Sequence, residues 1–586
     1  MPELFDLLVL SIRELPPFGL RAAGLGRAGA WAGLLLAVFV FGARADEKGV
    51  LGGTRTWSGV VRVAEDLWVP PGATLVIAPG TRVLFAPALS TKTDPLFWSP
   101  GTELAVGGRL EVRGRPGAPV VFEGEGPWGG LVAAPGARVH LAHARVLGAD
   151  AGLTCVGAVC ELSATTFEGG DYGLVTGPGA RLVAEDVAVR GARVGVYDAR
   201  GGDGETAGVE IEAPGDAARL TLHAPAREAV PLEGEIAREP RAEFLGEYTV
   251  GQHETWRGEV VIAGRVTVVP GAVLTLTPGT RVAFRRIDTN GDGLGEGEML
   301  VLGGIRSLGE PGRPVVFQSA EAAPSPGDWD KVSLIAAEDP DNLFRYTVFR
   351  HGVQALHAHF SRFRAERCYF EANLRATQFQ ESEQAELEGC VYLGNKQALR
   401  FRDSRVRVAK SVFLDNLYAV HAFRCDLEFV GNVVEGTALG GVLAKESRVT
   451  LRGNRFVGNR DGARLKDPDS TARIEGNRFE DSAEDGLSLS RVEASVMGNL
   501  FDDSGLDLVS LEEAVATFRE NIFGGSQRHA LHLNGSIGVD ARENYWVGGD
   551  PRRRVYDQQD DPERGYVDTS DLLRERPLLD APKKEW

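Results

Sequence analysis

Histidine, glutamine and arginine side chains recur about every 22 residues in the second half of the sequence. In three successive repeats the residue between two such side chains is apolar, as at Ala358, Phe379 and Phe401. Polar and apolar residues that alternate in this way are typical of a β-strand with one face in water. The sequence therefore predicts one exposed sheet face that carries the side chains of His357, His359, Gln378, Gln380, Arg400, Arg402 and His421.

This face would be cationic on a chain whose formal net charge is −18. Donors that repeat every ~4.8 Å along stacked strands could hold an extended acidic glycan by charge-assisted hydrogen bonds. A lyase acting on uronic acids would instead use Arg400 or Arg402 to neutralise the carboxylate and His421 as the base. The sequence shows no grouping of nucleophile, base and orienting residue, which favours binding, while a plain solvated strand face stays open as the alternative.

An acidic loop in the middle of the chain resembles the start of a calcium site. Oxygen-bearing residues alternate there, and glycines permit the sharp turn that calcium loops need. Met299 stands where a helix-loop-helix site has its bidentate glutamate, so a looser structural calcium site is predicted, with a flexible turn as the alternative. The predicted ligands, and with them the one predicted cofactor, are Asp288, Asn290, Asp292, Glu296 and Glu298.

A second acidic group occurs later in the chain and is predicted to lie in solvated turns that bind an occasional cation. Paired carboxylates could act as acid and base in a hydrolase, but these residues fall at turn positions of the repeat. The group comprises Asp481, Glu484, Asp485, Asp502, Asp503 and Asp507.

The elements that position these residues come from a repeat of about 22 residues. Each repeat has a marker residue that is followed two positions later by an apolar, mostly aromatic residue. Such a period means that each repeat is one coil of a solenoid, whose strands pair with the same strands of the next coil. The crossover rule for parallel strands predicts a right-handed coil. The markers are Thr347, Cys368, Cys390, Ser411, Asn432, Asn454, Asn477, Asn499, Asn521 and Asn544.

The columns of this repeat carry further predictions. The asparagine markers fit a turn with left-handed backbone, where their amides form a hydrogen-bonded ladder. Cys368 and Cys390 share one column and could form a disulfide, or the column could simply require small side chains. Cys155 and Cys160 could pair across a turn. A charged column is predicted to face water and to pair across coils, and it consists of Arg364, Glu386, Arg407 and Glu428.

Two long segments match each other and indicate a duplication. Thr56-Trp57-Ser58-Gly59 opens the first copy and Thr255-Trp256-Arg257-Gly258 the second. Pro-Gly pairs between alternating apolar runs predict short strands joined by tight turns in both copies. The predicted domains are 46–200, the first cap module with a short β-helix; 201–250, an irregular connection; 251–340, the second cap module; 341–550, the main β-helix of about ten coils; and 551–586, a C-terminal cap or tail.

The N-terminus predicts export. Arg21 and Arg27 precede the apolar run 28–42, and Ala43-Arg44-Ala45 matches a signal peptidase site. The run is shorter than the ~20 residues that span a bilayer, so residues 1–45 are predicted to be a cleaved signal peptide, with an uncleaved anchor as the alternative. The mature protein would then be periplasmic, cell-surface or secreted, with no stable membrane span.

The chain resembles bacterial right-handed parallel β-helix repeat proteins of the pectate-lyase-like superfamily. The residues that carry the resemblance are the Gly-Asn-x-Phe repeat, the paired Pro-Gly-Thr-x-Val-x-Phe modules and the ending Glu543-Asn544-Tyr545-Trp546. The resemblance covers nearly all of the mature chain and implies an all-β, right-handed parallel β-helix. Because the superfamily includes lyases, hydrolases, epimerases, adhesins and binding proteins, it implies no single activity.

The sequence favours a non-enzymatic, exported envelope protein that binds an acidic polysaccharide or another envelope component along its strand face. A polysaccharide lyase or related carbohydrate-active enzyme is the second hypothesis, and a structural spacer or adhesin is the third. The acidic surface argues against a nucleic acid partner.

Overall fold

A computed structural model describes residues 46–88, 94–200, 208–223, 242–337, 339 and 341–578. The predicted signal peptide, 1–45, lies outside the described residues. Among the described residues, no helix is both long and apolar enough to cross a membrane.

The strands form two separate parallel sheets, one in an N-terminal segment (residues 47–221) and one in a C-terminal segment (residues 242–568). The strands of the N-terminal segment are β1 (Glu47–Val50), β2 (Thr54–Trp57), β3 (Val60–Val69), β4 (Thr74–Ile77), β5 (Arg82–Phe85), β6 (Glu103–Val106), β7 (Arg109–Arg113), β8 (Val120–Ala133), β9 (Arg138–Ala142), β10 (Ala144–Cys155), β11 (Val159–Glu168), β12 (Tyr172–Thr176), β13 (Arg181–Arg190), β14 (Val194–Asp198), β15 (Val209–Glu212) and β16 (Ala217–Thr221).

The C-terminal segment continues the same pattern over more coils and includes one short 3-10 helix, Pro551–Arg553. Its strands are β17 (Ala242–Val250), β18 (Glu254–Trp256), β19 (Glu259–Val268), β20 (Val273–Leu276), β21 (Arg281–Phe284), β22 (Glu298–Val301), β23 (Gly304–Leu308), β24 (Val315–Ser319), β25 (Trp329–Ile335), β26 (Leu343–Arg345), β27 (Thr347–Arg350), β28 (Gly352–His359), β29 (Arg362–Glu366), β30 (Tyr369–Glu371), β31 (Arg375–Gln380), β32 (Gln384–Glu388), β33 (Val391–Leu393), β34 (Gln397–Arg402), β35 (Arg405–Ala409), β36 (Val412–Leu414), β37 (Tyr418–Phe423), β38 (Asp426–Val430), β39 (Val433–Glu435), β40 (Gly440–Lys445), β41 (Arg448–Arg452), β42 (Arg455–Val457), β43 (Ala463–Glu475), β44 (Arg478–Ser482), β45 (Leu487–Met497), β46 (Leu500–Ser504), β47 (Val509–Glu512), β48 (Val515–Arg519), β49 (Ile522–Phe523), β50 (Leu531–Leu533), β51 (Val539–Asp540), β52 (Tyr545–Trp546), β53 (Val555–Tyr556) and β54 (Val567–Asp568).

Each coil of the C-terminal segment contributes one strand to each of three files. File 1 contains β27, β30, β33 and their successors; file 2 contains β28, β31, β34, β37, β40 and β43; file 3 contains β29, β32, β35 and β38. Every strand pairs in parallel with the strand one coil away, without register shifts between β30 and β42. The predicted all-β, parallel β-helix is therefore confirmed.

Aromatic rings stack along the interior of file 1. The ring centroids of Phe456 and Phe479 are 4.8 Å apart, and those of Phe479 and Phe501 are 5.1 Å apart, with nearly parallel planes. The stack continues through Phe523 to Trp546. This confirms that equivalent residues of the 22-residue repeat lie above one another.

A ladder of buried asparagines runs beside this stack. Asn477 Oδ1 accepts hydrogen bonds from the backbone N and from Nδ2 of Asn454, both at 2.9 Å. Its own Nδ2 donates to Leu451 O at 2.9 Å and to Asn499 Oδ1 at 3.0 Å. The ladder is as predicted, but the left-handed residue is the one before each asparagine, such as Gly476 with φ of 62°.

A second ladder follows five residues after the markers and was not predicted. Asn373 Nδ2 donates to Asn395 Oδ1 at 3.0 Å, and Asn395 Nδ2 donates to Asn416 Oδ1 at 3.0 Å. All three side chains are buried. Two of the turns between files are thus held together by amides that satisfy backbone groups of the adjacent coil.

The structure also tests the predictions for the cysteines and the charged column. Cys155 and Cys160 form a disulfide. Cys368 and Cys390 are free, buried thiols, so the disulfide between them is wrong and the small-side-chain alternative holds. In the charged column, Arg407 Nε lies 3.4 Å from the carboxylate of Glu428, as expected for residues that face water.

The strands of both duplicated modules belong to the two parallel sheets. In the first copy the ring of Phe85 stacks on Trp128 at 4.2 Å, and in the second copy Phe284 stacks on Trp329 at 4.4 Å. The predicted irregular connection, 201–250, contains β15, β16 and β17, and the predicted tail contains β53 and β54. The sequence concealed these strands because charged and glycine residues interrupt their apolar alternation.

We predict that replacing Asn477 by alanine destabilises the C-terminal segment by about 2 to 4 kcal/mol, because buried partners in two coils lose their hydrogen bonds. Denaturant unfolding measures this change, with Glu493→Ala on the exposed surface as the control. An effect no larger than that of the control would show that the ladder contributes nothing to stability.

Candidate functional site

The N-terminal segment packs against file 2 of the C-terminal segment. Lys396 Nζ donates to Leu96 O at 2.8 Å and to Phe97 O at 3.0 Å, and the ammonium lies 4.3 Å from the ring centroid of Trp98. The sheet face that was predicted to be exposed is therefore partly covered.

The packing extends along several coils. Trp68 Nε1 donates to Asp292 O at 2.8 Å, and Tyr197 Oη donates to Ala438 O at 2.6 Å. An apolar cluster lies between the two segments, and it includes Tyr172, Val175, Val194, Tyr197, Leu220, Leu439 and Leu506. Apolar burial and buried polar contacts together hold the two segments side by side.

A cleft opens where the segment 94–100 faces file 2. We call this cavity of about 370 Å³ the cationic cleft. Its lining includes the rings of Phe97, Trp98, Tyr418 and Phe423, and the carboxylate of Asp94. The basic residues that line it are Arg375, Lys396, Arg400, Arg402, Lys445 and Lys466.

The structure divides the predicted binding residues. Arg400, Arg402 and His421 line the cationic cleft. The other four lie outside its lining: Gln378 is buried, His357 Nδ1 lies 2.9 Å from Ser333 Oγ, His359 pairs with Glu381, and Gln380 is half-buried. The prediction of one exposed face is wrong, because no sequence pattern marks the distant segment that covers it. The same gap hid Phe97 and Trp98 from the sequence analysis.

Burial and the concentration of positive charge shape the electrostatics of the cationic cleft. Burial, followed by the charges of Arg400 and Arg375, lowers the pKa of His421 to about 3. The His421 imidazole is therefore neutral at neutral pH. Its Nδ1 lies 2.8 Å from Gln397 Nε2, and this contact orients the ring. Burial and Arg402 lower the pKa of Arg400, and burial and Arg464 lower that of Lys466. An anion would relieve this repulsion.

A smaller cavity of about 260 Å³ adjoins the cleft around Trp98 and His421. Beside it lies an ion-pair network in which Arg464 Nη2 is 2.7 Å from Asp461 Oδ1 and Arg193 Nη2 is 3.2 Å from Glu484 Oε2. The N-terminal segment thus contributes directly to a buried network of the C-terminal segment.

Three residues of the second acidic group are buried, which corrects the prediction of solvated turns. Glu484 and Asp507 are no more than 1% exposed, and Asp485 is 9% exposed. Burial, followed by the charge of Asp507, raises the pKa of Asp485 to about 8. The N-terminal segment accounts for this burial at Glu484, which Tyr172 and Arg193 contact.

Asp507 organises two histidines near the C-terminal end of file 2. His529 Nδ1 lies 3.1 Å from Asp507 Oδ1, and His532 Nδ1 lies 2.7 Å from Asp507 Oδ2. Burial alone would raise the pKa of Asp507, but hydrogen bonds from both histidines and from Arg528 lower it well below its usual range. Among the described residues this is the one group of histidine, cysteine or acidic side chains with a spacing that suits a metal ion.

The predicted calcium ligands do not converge on one point. Glu298 lies on β22, where its Oε2 accepts a hydrogen bond from Arg265 Nε at 2.9 Å. The other four predicted ligands accept hydrogen bonds from backbone N–H groups of the loop itself: Asp288, Asn290, Asp292 and Glu296. The loop also contacts the N-terminal segment through Trp68. Calcium binding by this loop stays a prediction. In the structure the loop forms part of the contact between the N-terminal and C-terminal segments.

Comparisons with known proteins give one match to a protein family. Residues 358–556, about a third of the chain, match a family model described as "Periplasmic copper-binding protein (NosD)". No curated protein matches the sequence significantly.

Three solved structures match the chain with low identity and low TM-scores. The tailspike protein mutant E372A of E. coli bacteriophage HK620 in complex with pentasaccharide is 11% identical, with 79% of this chain and 72% of that chain covered and a TM-score of 0.18. The mannuronan C-5 epimerase AlgE6 A-module of Azotobacter vinelandii is 11% identical, with 80% and 89% covered and a TM-score of 0.14. A mannuronic acid specific polysaccharide family 6 lyase from human gut microbiota is 12% identical, with 85% and 86% covered and a TM-score of 0.14.

These values carry no argument about activity. The three files of parallel strands identify the chain as a parallel β-helix protein, with one stretch that is similar to the NosD family model.

Proposed function

We propose that the protein is an exported envelope protein that binds an acidic polysaccharide in the cationic cleft, and that it binds without turning over its ligand. The observation that carries the proposal is the composition of the cleft. Six basic side chains and one carboxylate, that of Asp94, line it in a chain with a formal net charge of −18. A local reversal of charge on this scale attracts and orients an anion.

The basic residues repeat along the axis, which suits an extended polymer. Four successive strands of file 2 carry register partners that face the cleft, three of them basic: Arg402, Phe423, Lys445 and Lys466. Neighbouring coils are about 4.8 Å apart, so a chain of uronate units would meet a new side chain at each coil. Asp403 and Asp467 hold Arg402 and Lys445 at 3.0 Å, which positions both cations.

The aromatic rings supply the second half of the recognition. Trp98 and Phe97 lie on one side of the cleft, and Tyr418 and Phe423 lie on the other. Aromatic faces offer apolar area at low entropic cost, and the C–H face of a sugar ring can pack on them. The cavity volume of about 370 Å³ falls in the range of small-ligand pockets, so one or two sugar units would be enclosed while the polymer continues outside.

We predict that the double substitution Arg400→Ala with Lys466→Ala weakens binding of an acidic polysaccharide such as alginate at least about tenfold, because two charge-assisted contacts are lost. Calorimetry or a gel-mobility assay measures the affinity. The matched control is Arg405→Ala with Arg448→Ala, which removes the same charge from side chains that are more than 70% exposed on file 3. If both double variants lost the same affinity for the polysaccharide, the effect would come from the net charge of the protein and not from the cationic cleft.

The same assay distinguishes binding from catalysis. Ultraviolet absorbance of unsaturated uronate, followed over hours with the wild-type protein, would reveal a lyase and overturn the non-enzymatic part of the proposal. Absence of saturable binding would favour the spacer hypothesis.

We expect the affinity for the polysaccharide to stay constant between about pH 5.5 and 8. Because the pKa of His421 is lowered to about 3, its imidazole is neutral throughout this range and adds no charge to the cleft. Titrations at several pH values test this. A marked rise in affinity towards pH 5.5 that His421→Gln abolishes would contradict the lowered pKa.

A second candidate function is copper binding, which the description of the matched family model suggests. The observation that favours it is the group of Asp507, His529 and His532, two of which carry imidazoles, within residues 358–556. Imidazole is a good ligand for copper, and a carboxylate can complete or orient the set. The side chains of His529 and His532 are 24% and 12% exposed, so an ion could reach them from solvent.

We predict that the wild-type protein binds Cu²⁺ at one site and that His529→Ala with His532→Ala lowers this affinity at least about a hundredfold, because both nitrogen ligands are removed. Competition with a colorimetric chelator measures the affinity. The control is His140→Ala with His143→Ala in the N-terminal segment. Unchanged Cu²⁺ binding in the first double variant would exclude this site.

A further inference from the structure

We propose that Arg528 controls the metal affinity of the Asp507 group and couples metal binding to the packing of the N-terminal segment. This inference rests on the proposed metal-binding function. It concerns a positioning residue that touches the metal ligands and the other segment at the same time.

Arg528 forms an ion pair with the carboxylate of Asp507, which is one of the three candidate metal ligands. Its Nε donates to Asp507 Oδ1 at 3.0 Å, and its Nη2 also contacts Asp507 Oδ2. The same Nη2 lies 3.1 Å from His532 Nδ1. The guanidinium therefore contacts two of the three candidate ligands and places its positive charge beside them.

A guanidinium and a divalent cation cannot share one carboxylate at low cost. Like charges in a partly buried site repel strongly, because the effective dielectric constant is far below that of water. Asp507 is fully buried, so its single negative charge balances either Arg528 or the ion, but not both. Metal binding must push the guanidinium away from Asp507.

The structure offers one nearby destination for the displaced charge. Arg528 Nη1 already donates to Asp216 Oδ1, at 2.6 Å, and Asp216 belongs to the N-terminal segment. Arg193 Nη1 holds the other oxygen of Asp216 at 3.1 Å, and Arg193 also pairs with Glu484. Arg528 thus connects the metal ligands to the contact between segments.

Coupling of this kind is reciprocal. If the ion drives Arg528 from Asp507 towards Asp216, metal binding strengthens the contact between segments, and that contact in turn favours metal binding. Two substitutions at the same salt bridge should therefore have opposite effects on metal affinity. A role in structure alone would lower or preserve the affinity in both variants.

The test measures Cu²⁺ and Zn²⁺ affinity of full-length variants by chelator competition. Arg528→Gln should bind both ions at least about tenfold more tightly than the wild type, because the competing charge is gone. Asp216→Asn should bind them several-fold more weakly, because Arg528 loses its alternative partner. Arg519→Gln, which removes a comparable arginine that pairs with Asp540, is the matched control and should not change the affinity.

Hydrogen exchange provides a second readout that does not depend on affinity. Saturating Cu²⁺ should slow exchange of backbone amides in residues 208–221 of the wild type, and this protection should be lost in Asp216→Asn. Unchanged or weaker metal binding by Arg528→Gln would overturn the coupling, even with a functional site. Failure of the wild type to bind either ion would instead overturn the metal-binding function, so the two failures are distinguishable.

Discussion

The parallel pairing of each strand with its equivalent one coil away is the constraint on which the rest of this structure depends. Because the pairing is in register, every column of the sequence becomes a file of like side chains. Apolar columns become aromatic stacks such as Phe456 to Phe501, and amide columns become ladders such as Asn454 to Asn499. The same rule turns Arg402, Lys445 and Lys466 into a row of cations.

The candidate binding cleft lies where this regular stack meets the N-terminal segment. Packing of residues 94–100 against file 2 converts a flat sheet into a cleft, and the six basic side chains that line this cleft all come from the C-terminal segment. It also buries Glu484, whose partners Arg193 and Tyr172 come from the other segment. Neither segment alone contains the cleft, the mixed ion-pair network or the Arg528–Asp216 contact. The proposed polysaccharide site therefore depends on the contact between segments.

The fold was predictable from the sequence because it depends on local periodicity. The markers and the aromatic position two residues later identify the coil, and the matching Trp-x-Gly modules identify the duplication. The site was predictable only in part: Arg400, Arg402 and His421 line the cleft, but Phe97 and Trp98 were missed. Contacts between residues about 300 positions apart, such as Lys396 with Phe97, leave no periodic signal. The metal candidate was missed because His529 and His532 reach Asp507 only through the coil geometry.

The contacts between segments recur at Lys396, Ala438, Glu484 and Arg528, in coils two repeats apart. A solenoid held only by neighbour contacts tolerates gain or loss of whole repeats, since its ends are independent. Here a deletion of one repeat between residues 396 and 528 would shift the later contacts by about 4.8 Å, too far for Asp216 to reach its arginine. The contacts with the N-terminal segment therefore constrain the number of repeats that can be inserted or deleted between residues 396 and 528.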